Sequence, residues 1–309
     1  MSQRLNWERD GRDWPNRDYS RFVDAGGLRW HVQVAGSGPV VLLIHGTGAS
    51  THSFRALLPL LVPHFTVVAP DLPGHGFTAS PATGSGYSLP GVAAGVSTLL
   101  RELGLKPMIA VGHSAGAAIA IRMTLDRSIT PIAVVSLNGA LLPFPAMSSD
   151  FFGPVVRLIA GSRIAAKAFT LLAGSRLSAE RLVRSTGSRI DAEGMRLYAR
   201  LTANTGHVHG ALALMANWDL RPLVRDLPYL PARLILVTGS QDGMVPPSES
   251  YRVRAVLPKA ELVSLRGLGH LAHEERPADI AALLEGIVPD KSDPAFAYQP
   301  AAVIRPITR

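Results

Sequence analysis

A strand that turns directly into a helix through Gly-x-Ser-x-Gly is the feature that most constrains the fold of this chain. Residues 108–111 are apolar and predict a short strand, and Gly112-His113-Ser114-Ala115-Gly116 leads into a run of small residues that predicts a helix. A serine on such a turn adopts strained backbone angles that raise its hydroxyl above the sheet edge. We therefore predict that Ser114 is a nucleophile and that the Ala115 amide faces an oxyanion.

Two later strand ends carry a matching acid and base. Asp242 and His270 each follow an apolar stretch that predicts a strand. Folds with this serine turn place the residues in the order serine, acid, histidine, which predicts a triad of Ser114, His270 and Asp242. His273 is the competing base, although its place one turn further on favours a packing role. The alternatives are that Asp242 is a turn residue and that His270 caps a helix.

A glycine-rich turn after an earlier strand completes the predicted site. Residues 39–44 are apolar, and His45-Gly46-Thr47-Gly48 follows them. A loop of this kind supplies the second oxyanion amide, so Thr47 is the predicted donor beside Ala115. We also predict that His45 lines the pocket.

Three histidines flank these turns, at positions 45, 75 and 113. No carboxylate or second histidine accompanies them at the spacing of metal ligands, so structural loop roles are favoured. We accordingly predict neither a metal site nor a cofactor.

The alternation of strands and helices predicts the domain organisation. An opening strand pair and six further strands predict an eight-stranded, mostly parallel sheet with helices on both faces. We assign residues 1–140 and 227–287 to this α/β core, 141–226 to a helical lid inserted after the sixth strand, and 288–309 to an irregular tail.

The predicted lid is strongly basic, with eleven Arg and Lys residues against six Asp and Glu in a chain of net charge +8. Residues 155–169 combine apolar bulk with cations, a pattern typical of a helix that touches anionic lipid. The alternative is an ordinary lid helix with its apolar face over the pocket. At the end of the lid, Met215, Asn217 and Trp218 are candidate pocket residues, and Trp218 either stacks on a flat ligand or is simply buried.

Composition limits the remaining classes of function. The chain has no cysteine, which fits a reducing cytoplasm, and no apolar run reaches the ~18–20 residues that cross a bilayer. Its pI near 10.3 fits an anionic ligand, an anionic membrane surface or an acidic protein. No nucleic-acid-binding module is present, so a nucleic-acid partner is not expected. We predict a cytoplasmic protein, peripheral to the inner membrane where it touches lipid.

These motifs together resemble the α/β-hydrolase superfamily over residues 20–287. The resemblance rests on the turn at His45, on Asp71-Leu72-Pro73-Gly74-His75-Gly76, and on the loops of Ser114, Asp242 and His270. It implies the sheet and lid described above. Serine at position 114 argues against dehalogenases and epoxide hydrolases, because these need a carboxylate nucleophile.

Several longer stretches are similar to one branch, the BchO-type accessory proteins of magnesium chelatase in bacteriochlorophyll biosynthesis. They are residues 7–17, 28–34, 69–78, 111–118, 215–220 and 269–275. The resemblance implies a role near magnesium insertion into protoporphyrin IX, with chelatase subunits as partners, but it implies no reaction. One hypothesis is a serine hydrolase of an ester or acyl substrate, which includes tetrapyrroles. The alternatives are a non-catalytic porphyrin- or chelatase-binding protein and a generic esterase or C–C hydrolase.

Overall fold

The computed structural model describes residues 4–143 and 162–288, and its centre is one eight-stranded sheet. The strand order is β1-β2-β4-β3-β5-β6-β7-β8. β2 is antiparallel to β1 and β4, and the strands from β4 to β8 are parallel. The strands are β1 (Ser20–Ala25), β2 (Leu28–Ala35), β3 (Val40–Ile44), β4 (Thr66–Pro70), β5 (Ile109–His113), β6 (Ala133–Leu137), β7 (Arg233–Gly239) and β8 (Glu261–Leu265).

Both faces of the central strands are buried, which explains their nearly unbroken apolar sequences. In β3, Val40, Leu42 and Ile44 pack into one apolar cluster, and Val41 and Leu43 pack into a second cluster on the opposite face. This alternation arises because every second side chain of a strand lies on the same face of the sheet. The predicted fold, a mostly parallel sheet flanked by helices, is confirmed.

Helices cover the sheet and form the insertion after β6. The α-helices of the described residues are α1 (Trp7–Asp10), α2 (Leu57–Leu61), α3 (Leu89–Glu102), α4 (Ala115–Leu125), α5 (Arg163–Ala173), α6 (Arg176–Ser185), α7 (Ala192–Thr202), α8 (Thr205–Ala216), α9 (Arg221–Asp226), α10 (Ser248–Val256), α11 (Ala272–Glu275) and α12 (Pro277–Glu285). The predicted helical insertion after the sixth strand is therefore present, as α5 to α9. Its proposed bounds, 141–226, stay a prediction.

Two predictions concern residues that lie wholly or partly outside the described ranges. The tail assigned to 288–309 lies outside the described residues except for position 288, and so does the part of the 155–169 segment before Ser162. Among the described residues, no helix has both the length and the apolar character that crossing a membrane requires.

The N-terminal arm, residues 4–19, packs against the lid. Trp14 is buried in a small cluster with Leu197 and Leu201 of α7, and its indole Nε1 donates to Thr51 Oγ1 at 3.0 Å. Asp13 forms ion pairs with two arginines of the same helix, one of them Arg200 at 2.8 Å. The arm therefore fixes α7 against the core.

Candidate active site

Ser114 occupies a sharp turn between β5 and α4. Its φ of 52° and ψ of −117° lie in a region that side chains rarely adopt. A Cβ at Gly112 would overlap the backbone of Gly116, and a Cβ at Gly116 would overlap the carbonyl of Ile44. Only glycines permit this close approach of helix and strands. The Ser114 side chain makes no capping hydrogen bond to its own helix, and it is half-buried at the sheet edge.

Two amides border the serine. Ala115 is the first residue of α4, so its N–H has no carbonyl partner within the helix. Thr47 is half-buried in the turn after β3. This turn abuts the serine, because a Cβ built on Gly46 would lie 2.9 Å from Ser114 Cβ. Both residues proposed from sequence as oxyanion donors thus lie at the serine turn.

His270 and Asp242 are paired at the neighbouring strand ends. His270 Nδ1 donates to Asp242 Oδ2 at 2.8 Å, and both side chains are buried. The other carboxylate oxygen, Oδ1, accepts the amides of Met244 and Val245 at 2.8 and 2.9 Å. These bonds fix the direction of the carboxylate and place the proton of a neutral His270 on Nδ1, which leaves Nε2 as the basic nitrogen.

His113 joins the serine turn to the His270 loop. Its Nε2 donates to the His270 carbonyl at 3.0 Å, and the two rings are 4.7 Å apart. Among the described side chains, no hydrogen bond joins Ser114 Oγ to His270 Nε2. Such bonds often form only when a substrate is bound.

Asn138 is a member of the site that the sequence reasoning missed. It follows β6 with a φ of 48°, and its Nδ2 donates to Asp242 Oδ2 at 2.7 Å and to the Gly269 carbonyl at 3.3 Å. Asn138 is followed by Gly139, and Asn-Gly is a typical left-handed turn pair. That pair was the only signal in the sequence, and it indicates a turn rather than a partner for the acid.

The lid holds the loops of His270 and Asp242 by hydrogen bonds. The Thr186 carbonyl accepts the amides of His270 and Gly243, both at 3.1 Å. Ser188 Oγ accepts the Leu271 amide at 2.8 Å. The turn after α6 is therefore part of the support of the His270 and Asp242 pair.

His45 supports the loops around the serine. It is fully buried, its Nε2 accepts the Leu72 amide at 2.9 Å, and its Nδ1 donates to the Gly46 carbonyl at 2.8 Å. Burial lowers the pKa of His45, which keeps it neutral. Because both ring nitrogens are engaged by the main chain, this residue positions the Thr47 turn.

The three candidate residues at the end of α8 differ in exposure. Met215 is 45% exposed, and Asn217 is exposed with its Nδ2 donating to the Ala213 carbonyl. Trp218 is buried in the apolar cluster that also contains Ala115. Of the three, only Trp218 is buried in the core.

A buried polar network ties α7 to the core behind the site. Glu274 accepts Ser53 Oγ at 2.9 Å and Tyr198 OH at 2.7 Å, and it forms an ion pair with Arg55. Arg55 also contacts Asp191, the N-cap of α7, at 2.7 Å. His273, the competing base, is fully buried with its Nε2 2.7 Å from Ser53 Oγ.

A cleft of about 680 Å³ lies beside the loops that carry Asp242 and His270. Its lining includes the cations Arg184 and Arg189, the apolar side chains Ile190 and Met195, and Gln241. Both arginines are exposed. Among the described residues, no cluster of three or more His, Asp or Glu has the arrangement of a metal site.

Comparison with known proteins agrees with this fold. The family model for the alpha/beta hydrolase fold matches residues 39–277. A magnesium-chelatase 30 kDa subunit of Rhodobacter capsulatus is 38% identical over 265 residues, which cover 85% of this chain and 92% of the relative.

Two solved structures share the fold at lower identity. One is a serine hydrolase involved in carbazole degradation, with a TM-score of 0.69, 22% identity, and coverage of 86% of this chain and 97% of that one. The other is an alpha/beta hydrolase fold protein from Burkholderia ambifaria, with a TM-score of 0.68, 20% identity, and coverage of 86% and 97%. At this identity they show the fold alone.

Proposed function

This chain belongs to the alpha/beta hydrolase fold family, and on that premise we propose that it is a serine hydrolase of an ester or acyl substrate that serves magnesium chelatase in bacteriochlorophyll biosynthesis. The observation that carries the hydrolase part is the bond from His270 Nδ1 to Asp242 Oδ2 at 2.8 Å, on loops beside the strained serine turn. A buried base with a fixed tautomer next to a raised serine is what acyl transfer requires.

The mechanism follows from the positions of these groups. Ser114 Oγ attacks the substrate carbonyl while its proton passes to His270 Nε2, and Asp242 stabilises the imidazolium that forms. The amides of Ala115 and Thr47 stabilise the oxyanion. His270 then protonates the leaving group, and an acyl–serine ester remains. Water attacks this ester with His270 as the base, and the acid product and free Ser114 result.

Ester hydrolysis by purified protein tests the hydrolase part. We expect the wild type to cleave short p-nitrophenyl esters and to react with a fluorophosphonate probe. Ser114→Ala should abolish both reactions, because the acyl–serine ester can no longer form. Ser85→Ala is the matched control, since Ser85 is an exposed serine whose hydroxyl pairs with that of Thr83. Labelling that persists in Ser114→Ala would refute the assignment.

The accessory part of the proposal rests on the similarity to the chelatase subunit of Rhodobacter capsulatus. We expect that a photosynthetic strain without this gene makes less bacteriochlorophyll and that the wild-type gene restores it. If hydrolysis is the biological role, Ser114→Ala fails to restore pigment. Restoration by Ser114→Ala would instead favour the binding role. If deletion of the gene leaves pigment unchanged, a generic esterase or C–C hydrolase is favoured.

A second candidate function is the binding of a tetrapyrrole or of the chelatase itself without chemistry. It is favoured by the cleft beside the catalytic loops, because Arg184 and Arg189 suit two propionates, and Ile190 and Met195 suit an apolar ring. Titration with protoporphyrin IX should shift its Soret band and quench tryptophan fluorescence. The Arg184→Gln/Arg189→Gln variant and the porphyrin dimethyl ester should both weaken binding, whereas Arg254→Gln should not.

This proposal also assigns a location to the protein. We expect a cytoplasmic protein that is peripheral to the inner, photosynthetic membrane, because a tetrapyrrole ligand would be amphiphilic. Fractionation of a photosynthetic strain should place a share of the protein with membranes, from which high salt releases it.

A further inference from the structure

Two neighbouring helices of the lid expose large apolar side chains to solvent. On α5, Ile164 is 82% exposed, and Leu171 and Leu172 are 78% and 81% exposed. On α6, Leu177 and Leu182 are 66% and 44% exposed. Exposed leucines are common singly, but a group on adjacent helices indicates an interaction surface. We call these five residues the lid patch.

The orientation of α5 is the reverse of that of an ordinary surface helix. Ala166, a small residue, is fully buried on the side that faces the protein. Ile164, Leu171 and Leu172 are spaced by seven and eight positions, so they share the opposite face of the helix. Burial of such side chains normally favours the folded state. Because these side chains point outward, the free energy of burying them is gained only when they contact an external apolar phase.

Cations flank the lid patch on both helices. Arg163 and Lys167 lie on the exposed side of α5, and Arg181 and Arg184 are exposed on α6. Within 163–185, the one acid in the sequence is Glu180, whose carboxylate contacts Arg176 at 3.2 Å. The patch therefore combines an apolar centre with a net positive margin.

We propose that the lid patch docks the protein on an anionic phospholipid bilayer. The apolar side chains enter the boundary between headgroups and acyl chains, and the flanking Arg and Lys side chains contact lipid phosphates. Long cationic side chains suit this position because their stems lie along apolar surface while their charges stay at the headgroups. The charge complementarity identifies anionic lipid as the occupant.

Docking would also orient the candidate active site. The chain leaves α6 directly into Thr186 and Ser188, which hold the loops of His270 and Asp242. A bilayer under α5 and α6 therefore lies on the lid side of the site, where an amphiphilic substrate would arrive. Membrane docking does not depend on the proposed hydrolysis, and Ser114→Ala should bind lipid like the wild type.

Vesicle flotation tests this proposal with the full-length protein. We expect the wild type to float with vesicles of phosphatidylcholine and phosphatidylglycerol, to stay behind with pure phosphatidylcholine, and to be released by high salt. Leu171→Ser/Leu172→Ser should weaken flotation about ten-fold or more, because two leucine side chains no longer enter the bilayer. Arg163→Gln and Lys167→Gln should each weaken it about five-fold.

Matched controls separate docking from damage to the fold. Leu60→Ser removes a leucine that is 41% exposed on α2, and Arg254→Gln removes an exposed cation of α10. Both should float like the wild type, and all variants should keep the wild-type circular dichroism and melting temperature. Absence of flotation at low salt, or undiminished flotation of the folded Leu171→Ser/Leu172→Ser variant, would overturn the proposal. Docking of the patch on a partner protein with no binding to lipid would overturn it as well.

Discussion

Asn138 donates a hydrogen bond of 2.7 Å to Asp242 Oδ2, the same oxygen that accepts His270 Nδ1. The carboxylate is thereby held by side chains from the ends of two other strands, β6 and β8. Together with the two amides on Oδ1, these contacts leave the acid little freedom to rotate. Asn138 is therefore a positioning residue for the proposed base.

Removal of the Asn138 amide should slow ester hydrolysis. Asn138→Gly tolerates the φ of 48° and loses only the hydrogen bonds, so we expect kcat to fall about ten- to hundred-fold with little change in KM. Asn138→Ala should show the same loss of kcat. Its free energy of unfolding should in addition be about 1 kcal/mol lower than that of Asn138→Gly, because alanine is strained at this φ. Steady-state kinetics and urea unfolding measure the two effects. An unchanged kcat in Asn138→Gly would show that Asp242 is fixed without the asparagine.

Ser114→Gly should be more stable than the wild type. The backbone angles of Ser114 cost of order 1–3 kcal/mol in a residue with a Cβ, and glycine adopts them without this cost. Glycine also loses more conformational entropy on folding, and this loss offsets part of the gain. We therefore expect the free energy of unfolding to rise by about 1 kcal/mol. Ser114→Ala keeps the Cβ and should match the wild type. Urea unfolding of the three proteins tests the strain directly, and equal stabilities would mean that the turn is unstrained.

Removal of Arg55 should destabilise the protein in a way that depends on pH. Burial raises the pKa of Glu274, although Arg55, Tyr198 and Ser53 partly offset it. Arg55→Met leaves this carboxylate buried without its cation, which costs about 3–5 kcal/mol at pH 8. Without Arg55 the pKa of Glu274 rises further, so on acidification the folded variant binds a proton that the unfolded chain binds only at about pH 4.3. The destabilisation relative to wild type should therefore shrink from pH 8 to pH 6.

A double variant supplies the control for this pH dependence. In Arg55→Met/Glu274→Gln the buried group is neutral at every pH, so the stability difference from wild type should be constant. Urea unfolding at several pH values between 8 and 6 distinguishes the two variants. A pH-independent loss in Arg55→Met alone would show that Glu274 is not the group that titrates.

The protein should unfold sharply in weak acid, because burial holds six histidines neutral in the fold. Burial lowers the pKa of His207 to about 4 and of His273 to about 3, and it lowers the others as well: His45, His52, His75 and His113. The unfolded chain binds these protons near pH 6.5, so stability falls as the pH drops below that value. At pH 5.5 the two groups with pKa values of about 4 and 3, His207 and His273, each cost about 1.4 kcal/mol, and the other four histidines lower the stability in the same direction.

Circular dichroism during acid titration measures this transition. We expect a cooperative transition below about pH 6.5, the pKa of an unperturbed histidine, with more than one proton taken up. His207→Gln removes one titrating group, and the side chain of glutamine can both accept and donate as His207 does toward Gly76 and Gly48. Its transition should be shallower. A protein that stays folded at pH 4 would contradict the assignment of neutral buried histidines.

The sheet was predictable because short, continuous stretches of sequence specify each strand. Runs such as residues 40–44 are apolar at every position, and a short run of this kind between turn signals is typical of a strand covered on both faces. The serine turn was predictable for a similar reason, since Gly112 and Gly116 are the residues that its close backbone contacts require. The positions of Asp242 and His270 followed from strand order.

The remainder of the site depends on contacts that no local pattern specifies. Arg55 and Glu274 meet only after the chain has folded, and their residue types alone predict a solvated surface. The amphipathic pattern of α5 indicated two faces, but it could not indicate which face is buried. His45 was expected in the pocket, yet its Nε2 is engaged by the Leu72 amide, which lies on a different loop. Exposure of Met215 and Asn217 likewise depends on how α8 packs.

The Thr186 carbonyl, which accepts amides from the loops of both His270 and Asp242, has a consequence for how this protein can diversify. Exchange of the whole insertion for that of a relative would alter the main chain that supplies this shared acceptor to the loops of His270 and Asp242. Chimeras should therefore lose catalytic geometry together with substrate preference unless residues 186–188 are retained.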